Sequence, residues 1–333
     1  MEKIKFGNFD NKVSRIGLGT WAIGGWMWGG TDETRSIHTL RTAFDLGINL
    51  VDTAPQYGFG LAEEIVGRAI AEHGNREKLI IATKVGLEWE SPHKIWRNST
   101  RKRIFQEIDD SLRRLRTEYI DLYQVHWPDP DTPLEETAEA LYDLYEQGKI
   151  RAIGVSNFNA EQMERWRKVA PLHSNQLQLN LFQQHLLNTD FAYCYEHKID
   201  TITYGTLAYG LLTGKFNSET TFPEDDHRFY KPMFRGEYFL QFLAAVDELK
   251  KLAASRDKSV AQLAVRWALQ QKGVTIVLWG ARRPEQLNDI LGTEGWELSK
   301  EELERIQQII NEKVTKPLPP KKNPGPPARS SLR

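Results

Sequence analysis

Cysteine is nearly missing from these 333 residues: Cys194 is the only one. That excludes an internal disulfide and a cysteine-rich zinc site, and it fits a reducing compartment. Excess charge of either sign is missing too. Lys and Arg number 44 against 45 Asp and Glu, a formal net charge of −1, which argues against nucleic acid or an anionic membrane as a partner. No uncharged apolar run approaches the ~18 residues that span a bilayer. The opening Met1-Glu-Lys-Ile-Lys-Phe-Gly7 has no apolar stretch of signal-peptide length, so the expectation is a cytoplasmic protein. Also absent is a Gly-x-Gly-x-x-Gly turn after the first strand. Gly17-Leu-Gly19 runs instead into Thr-Trp-Ala, which disfavours a doubly wound sheet.

What is present is a rhythm. Short apolar runs alternate with longer amphipathic stretches. Strands are expected at 16–20, 49–54, 79–85, 120–127, 150–156, 174–181, 201–207 and 274–279. Helices are expected at 31–46, 61–73, 100–115, 134–147, 160–169, 189–197, 238–256, 259–272, 284–291 and 299–314. Eight strand-plus-helix units in a chain of this size predict a single-domain (β/α)8 TIM barrel. A hairpin-like pattern, Ile4-Lys-Phe6 and Lys12-Val-Ser-Arg15 around Gly7–Asn11, is expected to close the barrel bottom, and 299–314 forms an extra C-terminal helix. The barrel domain is expected to span 1–315. Residues 316–333 hold six prolines, five basic residues and no acidic ones, the composition of a disordered tail.

Chemistry is concentrated at the strand ends. Asp52, Lys84 and His126 each lie at or just past the end of an expected strand, and Tyr57 follows Asp52 by one loop. In a parallel barrel all those ends lie on one face, where the active site forms. A phenol, an ammonium, a carboxylate and an imidazole together are parts for moving a proton to or from a carbonyl oxygen. A tyrosine titrates near 10, and a neighbouring ammonium is expected to lower that value. His126, between Val125 and Trp127, also reads as a buried structural histidine.

Val51-Asp-Thr-Ala-Pro-Gln-Tyr-Gly58, Glu63-Glu-Ile-Val-Gly67, Ala82-Thr-Lys84-Val, Asp121-Leu-Tyr-Gln-Val-His126 and Gly148-Lys-Ile-Arg-Ala-Ile-Gly-Val-Ser-Asn-Phe158 stand in order along the chain. With Tyr204, Gly210-Leu-Leu-Thr-Gly-Lys215 and Gly280-Ala-Arg-Arg-Pro-Glu-Gln286, they resemble the aldo-keto reductases over residues 4–312. The resemblance implies catalytic roles for Asp52, Tyr57, Lys84 and His126, with Tyr57 as the acid. It implies that Ser156, Asn157 and Gln176 hold a nicotinamide carboxamide and that Tyr204 stacks on the ring. Leu207, Gly210 and Lys215 would wrap the pyrophosphate. Gly280, Arg282, Arg283 and Gln286 lie just before a helix, where anions are favoured, and the arginines suit a 2′-phosphate. NADP(H) is therefore expected over NAD(H). Ser156-Asn157 also reads as a helix cap, and Arg282-Arg283 as a solvated pair. Departures from the family pattern are Tyr204-Gly-Thr-Leu207, Leu278-Trp-Gly280, and Ile290 where many members carry an adenine-contacting Asn.

Trp21, Trp26, Trp28, Trp89, Trp96 and Trp127 follow strands one, three and four. They predict an aromatic-lined mouth for a small carbonyl substrate, shaped also by Gly24–Gly30 and the insertion through Phe222–Gly236. Reduction of aldehydes or ketones, reversible to alcohol oxidation, is the expected function. A nucleotide-sensing regulatory subunit of a larger assembly is the alternative, since fold does not fix function. A monomer is expected.

Overall fold

The strand ends that carry the candidate residues are brought together by a closed parallel barrel. The computed structural model describes residues 1–316, 318 and 325–332. A hairpin of β1 (Lys3–Ile4) and β2 (Val13–Ser14) precedes β3 (Ile16–Gly19), β4 (Leu50–Asp52) and β5 (Ile80–Val85). A second hairpin, β6 (Leu87–Ser91) and β7 (Lys94–Arg97), follows β5 outside the barrel. Then come β8 (Ile120–Val125), β9 (Ile150–Ser156), β10 (Ser174–Gln178), β11 (Asp200–Tyr204) and β12 (Ile276–Gly280). The barrel strands neighbour one another in chain order, and β12 closes on β3 with Leu278 opposite Gly17.

The helices follow from local signals. Asp32 caps α1 (Glu33–Asp45), and Gly74 in left-handed conformation ends α2 (Leu61–His73). Thr100 caps α3 (Arg101–Leu115), which is followed by α4 (Leu134–Glu146). An Asn159–Gln162 capping box opens α5 (Ala160–Arg167). After α6 (Ala192–Glu196) and α7 (Gly236–Ala254), similar boxes open α8 (Val260–Leu269) and α9 (Lys300–Lys313). The extra helix α9 packs on α7. The expected helix at 284–291 is instead two short 3-10 turns, Pro284–Leu287 and Leu291–Thr293. None of the helices among the described residues is long and apolar enough to cross a membrane.

Strand alternation sorts the side chains. Val51, Ile81, Tyr123 and Ile153 face the helices, whereas Leu50, Ala82, Leu122, Ala152, Ile202 and Ile276 face the barrel axis. Phe6, Phe9 and Val13 join that inner cluster, so the N-terminal hairpin plugs the barrel bottom, as expected. Two residues further along the same inward face, Leu50 is succeeded by Asp52, Ala82 by Lys84, Leu122 by Gln124 and Ile202 by Tyr204. The axis thus changes from apolar to polar toward the C-terminal ends of the strands, where the fold places active sites.

A buried ionic cluster braces this end from outside. Fully buried Glu63 accepts from Thr83 Oγ1 at 2.6 Å and from Arg114 Nε at 2.5 Å. Arg114 and Arg103 both reach Glu107. Helices α2 and α3 are thereby tied to β5 at the residue beside Lys84.

Two further features lie around the barrel rim. The hairpin β6–β7 has a sequence signal, alternation of Glu88-Trp-Glu90 and Lys94-Ile-Trp96 around Ser-Pro-His. The terminal stretch expected to be disordered lies partly outside the described residues. Of its described residues, those at 325–332 dock on the barrel rim. Pro327 carbonyl accepts from Arg97 N at 2.9 Å, Pro326 carbonyl accepts from Arg97 Nε at 2.7 Å, and Ser330 Oγ donates to Asp131 at 2.6 Å. Gly325 lies on Trp127 so closely that an added Cβ would sit 2.6 Å from the ring. Proline carbonyls remain acceptors although the ring nitrogens cannot donate, so a composition that cannot fold alone still binds a prepared edge.

Candidate active site

Lys84 is the hub. It is 0% exposed, and its Nζ donates to both Asp52 oxygens at 2.8 Å, to the Thr53 carbonyl at 2.9 Å and to Tyr57 Oη at 3.2 Å. Because the ammonium donates to Tyr57 Oη, the phenol proton points elsewhere. The Tyr57 ring lies 5.8 Å from the His126 ring, nearly perpendicular to it. The structure therefore brings the four candidate catalytic residues into one cluster.

Protonation states follow from burial. Lys84 is lowered by burial, a drop that the adjoining Asp52 opposes. Tyr57 is pushed well above its ordinary range by burial and then by the Asp52 charge. This corrects the expectation of a lowered tyrosine: Asp52 matches the Lys84 charge at contact distance, so Tyr57 faces an ion pair and not a lone cation. The phenol stays protonated at neutral pH, the state a proton donor needs. Burial, with Lys84 second, holds His126 well below its usual range, so the ring is a neutral donor.

Tyr57 is held by glycine contacts between two segments whose meeting the sequence does not disclose. Gly24 lies against its backbone, where an added Cβ would approach Tyr57 C to 2.5 Å, and a Cβ added at Gly58, which sits at φ +66°, would crowd the Gly24 carbonyl still more closely. Gly24→Ala is expected to shift the Tyr57 turn and lower kcat by about 100-fold. Comparing kcat with the thermal midpoint separates this displacement from unfolding.

The expected cofactor residues flank the cluster. Asn157, in left-handed conformation at φ +63°, donates to the His126 carbonyl at 3.1 Å and to Ser156 Oγ at 3.0 Å. Tyr204 Oη donates to Asn157 Oδ1 at 2.8 Å, which fixes the ring. Gln176 Nε2 donates to Asp52 Oδ1 at 2.7 Å, and Gln124 Nε2 does so at 3.4 Å. Gln176 is thus joined to the Asp52 carboxylate, a link the sequence does not disclose, and Gln124 is a further member of this layer.

After Leu207, the left-handed residues Ala208 (φ +47°), Tyr209 (φ +58°) and Gly210 (φ +94°) follow in succession. The N–H groups of Ala208 and Gly210 donate within the turn, to the Gly205 and Leu207 carbonyls at 2.9 Å, and non-glycine residues held in this conformation carry strain typical of functional loops. Lys215 is exposed beyond it. The arginine pair divides: the Arg282 guanidinium donates to the Trp28 carbonyl and, at 2.6 Å, to that of Gly30, whereas Arg283 is exposed. Gln286 Oε1 accepts from the backbone N–H of both, at 2.8 and 3.2 Å. Gly280 has open space around it, and Ile290 is buried. Polar side chains at the strand ends, the fixed Tyr204 ring and the strained loop after β11 fit a nicotinamide dinucleotide.

The aromatic mouth is assembled from distant segments. The Trp21 ring lies 6.4 Å from that of Tyr57, Trp26 packs on Phe59 at 5.1 Å, and Phe59 packs on Trp89 at 5.6 Å. His227, which sequence inspection passes over, packs tilted against both Trp21 and Trp28, at 4.7 and 4.3 Å.

A barrel with a Tyr–Lys–Asp–His cluster at its C-terminal mouth is the architecture of an oxidoreductase acting on carbonyl groups. The chain belongs to the aldo/keto reductase family, whose model matches residues 15–311. It is 52% identical to the aldo-keto reductase YhdN of Bacillus subtilis (strain 168), covering 96% of this chain and 97% of that one. It is 34% identical to the NADH-specific methylglyoxal reductase of Escherichia coli (strain K12), over 87% and 92%. The structure of the glycerol dehydrogenase of Gluconobacter oxydans is similar at a TM-score of 0.89 and 48% identity, over 97% and 99%. Members of this family generally use a nicotinamide cofactor.

Proposed function

We propose that this chain reduces aldehydes and ketones reversibly with NADP(H), and that Tyr57 is the proton donor. The observation that carries the reading is the Lys84 ammonium, bound to both Asp52 oxygens and donating to Tyr57 Oη. Bound nicotinamide would supply a hydride to the substrate carbon. Tyr57 transfers its proton to the carbonyl oxygen as negative charge grows there. Lys84 stabilises the phenolate left behind through the hydrogen bond it already makes, and Asp52 keeps that ammonium charged and aimed. Neutral His126 donates a hydrogen bond to the same oxygen. Ser156, Asn157 and Gln176 orient the carboxamide, and Tyr204 supports the ring. Because Gln176 also holds Asp52, cofactor placement and the proton-donating cluster share one side chain. Enclosure within the barrel mouth makes these fixed donors more effective than in water. The reading includes a monomer acting in the cytoplasm.

NADPH titration followed by fluorescence, then an aldehyde and ketone panel, tests the reading. Absence of NADPH oxidation across the panel would refute it. The similarity to an NADH-specific reductase makes cofactor choice a separate question. The preference for NADP(H) rests on exposed Arg283, since Arg282 is committed to loop carbonyls. Arg283→Ala is expected to lower the NADPH-over-NADH preference in kcat/KM by about 10- to 100-fold, the worth of a charge-assisted hydrogen bond. An unchanged ratio would remove the 2′-phosphate assignment.

A further inference from the structure

Two lysines among the described residues are lowered by burial, and the reaction above uses one of them. Lys84 is enclosed and held by both Asp52 oxygens. Lys231, in the long segment between β11 and α7, differs on both counts. Its amine lies 4.1 Å from the centre of the Tyr209 ring. Among the described residues, no carboxylate or carbonyl accepts from that amine. The side chain is partly covered, yet its nitrogen is open to solvent.

The surroundings favour an uncharged amine. Around it stand the Tyr209 phenol, the His227 imidazole, kept neutral by burial, and the Arg228 guanidinium. The one carboxylate of this group, Asp226, is taken by Arg228. Desolvation therefore acts on Lys231 without a counter-ion to oppose it, and it brings the amine down to about 8. At pH 7 roughly a tenth of such an amine is the neutral nucleophile, against well under a thousandth for an ordinary lysine. Partial burial of this kind is how proteins make lysines that condense with carbonyl groups.

The amine also stands where aldehydes pass. The Tyr209 ring beneath it lies 6.3 Å from the Trp21 ring, and Trp21 lies 6.4 Å from the ring of Tyr57. Lys231 is thus two rings away from the proton donor. We propose that Lys231 is a covalent modification site for aldehydes that enter the mouth, and that the adduct blocks the reaction there. The amine nitrogen attacks the carbonyl carbon and a C–N bond forms. The carbonyl oxygen then leaves as water with both amine hydrogens, and an imine remains. No electrons are exchanged and no further reactant is needed, and hydrolysis reverses the step. The blockage rests on the reductase reading above; the condensation does not.

The test incubates the whole protein with propanal and sodium cyanoborohydride, which reduces imines to stable secondary amines. Mass spectrometry of proteolytic peptides then maps the propyl groups. Lys231 is expected to be labelled about tenfold or more faster than any other lysine, because far more of it is neutral. Once the reagents are removed, reduction of a ketone with NADPH is expected to fall in proportion to the Lys231 label. Lys231→Arg keeps the charge but forms no imine, and it is expected to hold its turnover through the same treatment. Labels spread evenly over the surface lysines overturn the inference. Labelled Lys231 with undiminished turnover also overturns it, since an adduct at the mouth has to obstruct the reaction. Equal loss of turnover in Lys231→Arg overturns it as well, because the damage then lies elsewhere. A wild type that reduces no ketone before treatment refutes the reductase reading, and the peptide map still decides whether Lys231 is the site.

Discussion

Tyr57→Phe is expected to lower the rate of carbonyl reduction by about 10²–10⁴-fold, the usual worth of a positioned general acid, while leaving the fold intact. The ring stays packed against Trp21 and His126; only the hydroxyl is removed. Lys84 then loses one of its hydrogen bonds but keeps Asp52 and the Thr53 carbonyl. NADPH binding should therefore persist. Loss of turnover with retained fluorescence quenching is the expected signature, and unchanged turnover would eliminate Tyr57 as the acid. The pH dependence has a definite sign. An acid must be protonated to act, and Tyr57 is raised above its ordinary 10. The reduction rate of the wild type should accordingly stay flat from neutrality to about 9 and fall only in more alkaline solution. Alcohol oxidation needs the phenolate, so its rate should rise with pH over the same interval. His126, held neutral by burial, adds no acidic limb near pH 6.5.

Lys84→Met should be costly in a second way. The ammonium is enclosed by protein and serves as counter-ion to Asp52, which is itself 2% exposed. Removing one partner of a buried pair leaves an uncompensated charge, at a cost of about 3–5 kcal/mol, a large share of the ~5–15 kcal/mol that holds most domains folded. Turnover should fall at least as far as in Tyr57→Phe. Adding Asp52→Asn should restore much of the stability, because the orphaned charge is gone, without restoring activity. Urea midpoints of the two single variants and the double variant measure this. A double variant no more stable than Lys84→Met alone would contradict a buried ion pair.

Those two expectations concern residues that could be read directly from the chain. Asp52, Lys84 and His126 are legible because strand ends show as breaks in short apolar runs, and a parallel barrel converts position along a strand into position on one face. The helix ends at Asp32, Thr100, Ser259 and Ser299 are legible for the same local reason: a cap is formed by residues three apart. The Arg282-Arg283 pair shows the limit. Adjacent and alike in sequence, the two take different roles because the Trp28 and Gly30 carbonyls, some 250 positions away in the chain, lie within reach of only one.

The sequence by itself determined the barrel, the plug beneath it and the members of the Asp52–Tyr57–Lys84–His126 cluster, because short apolar runs, caps and strand ends are local properties. Tertiary structure alone decided how those members are tuned. Whether Tyr57 is acidified or kept as a phenol depends first on its burial and then on Asp52 lying against Lys84. That Gln176 holds Asp52 depends on two strands facing across the barrel axis. The meeting of His227 with Trp28 depends on two loops nearly 200 residues apart in the chain. Electrostatics and hydrogen bonding act through space, and a one-dimensional pattern carries no distance between segments that only folding brings together.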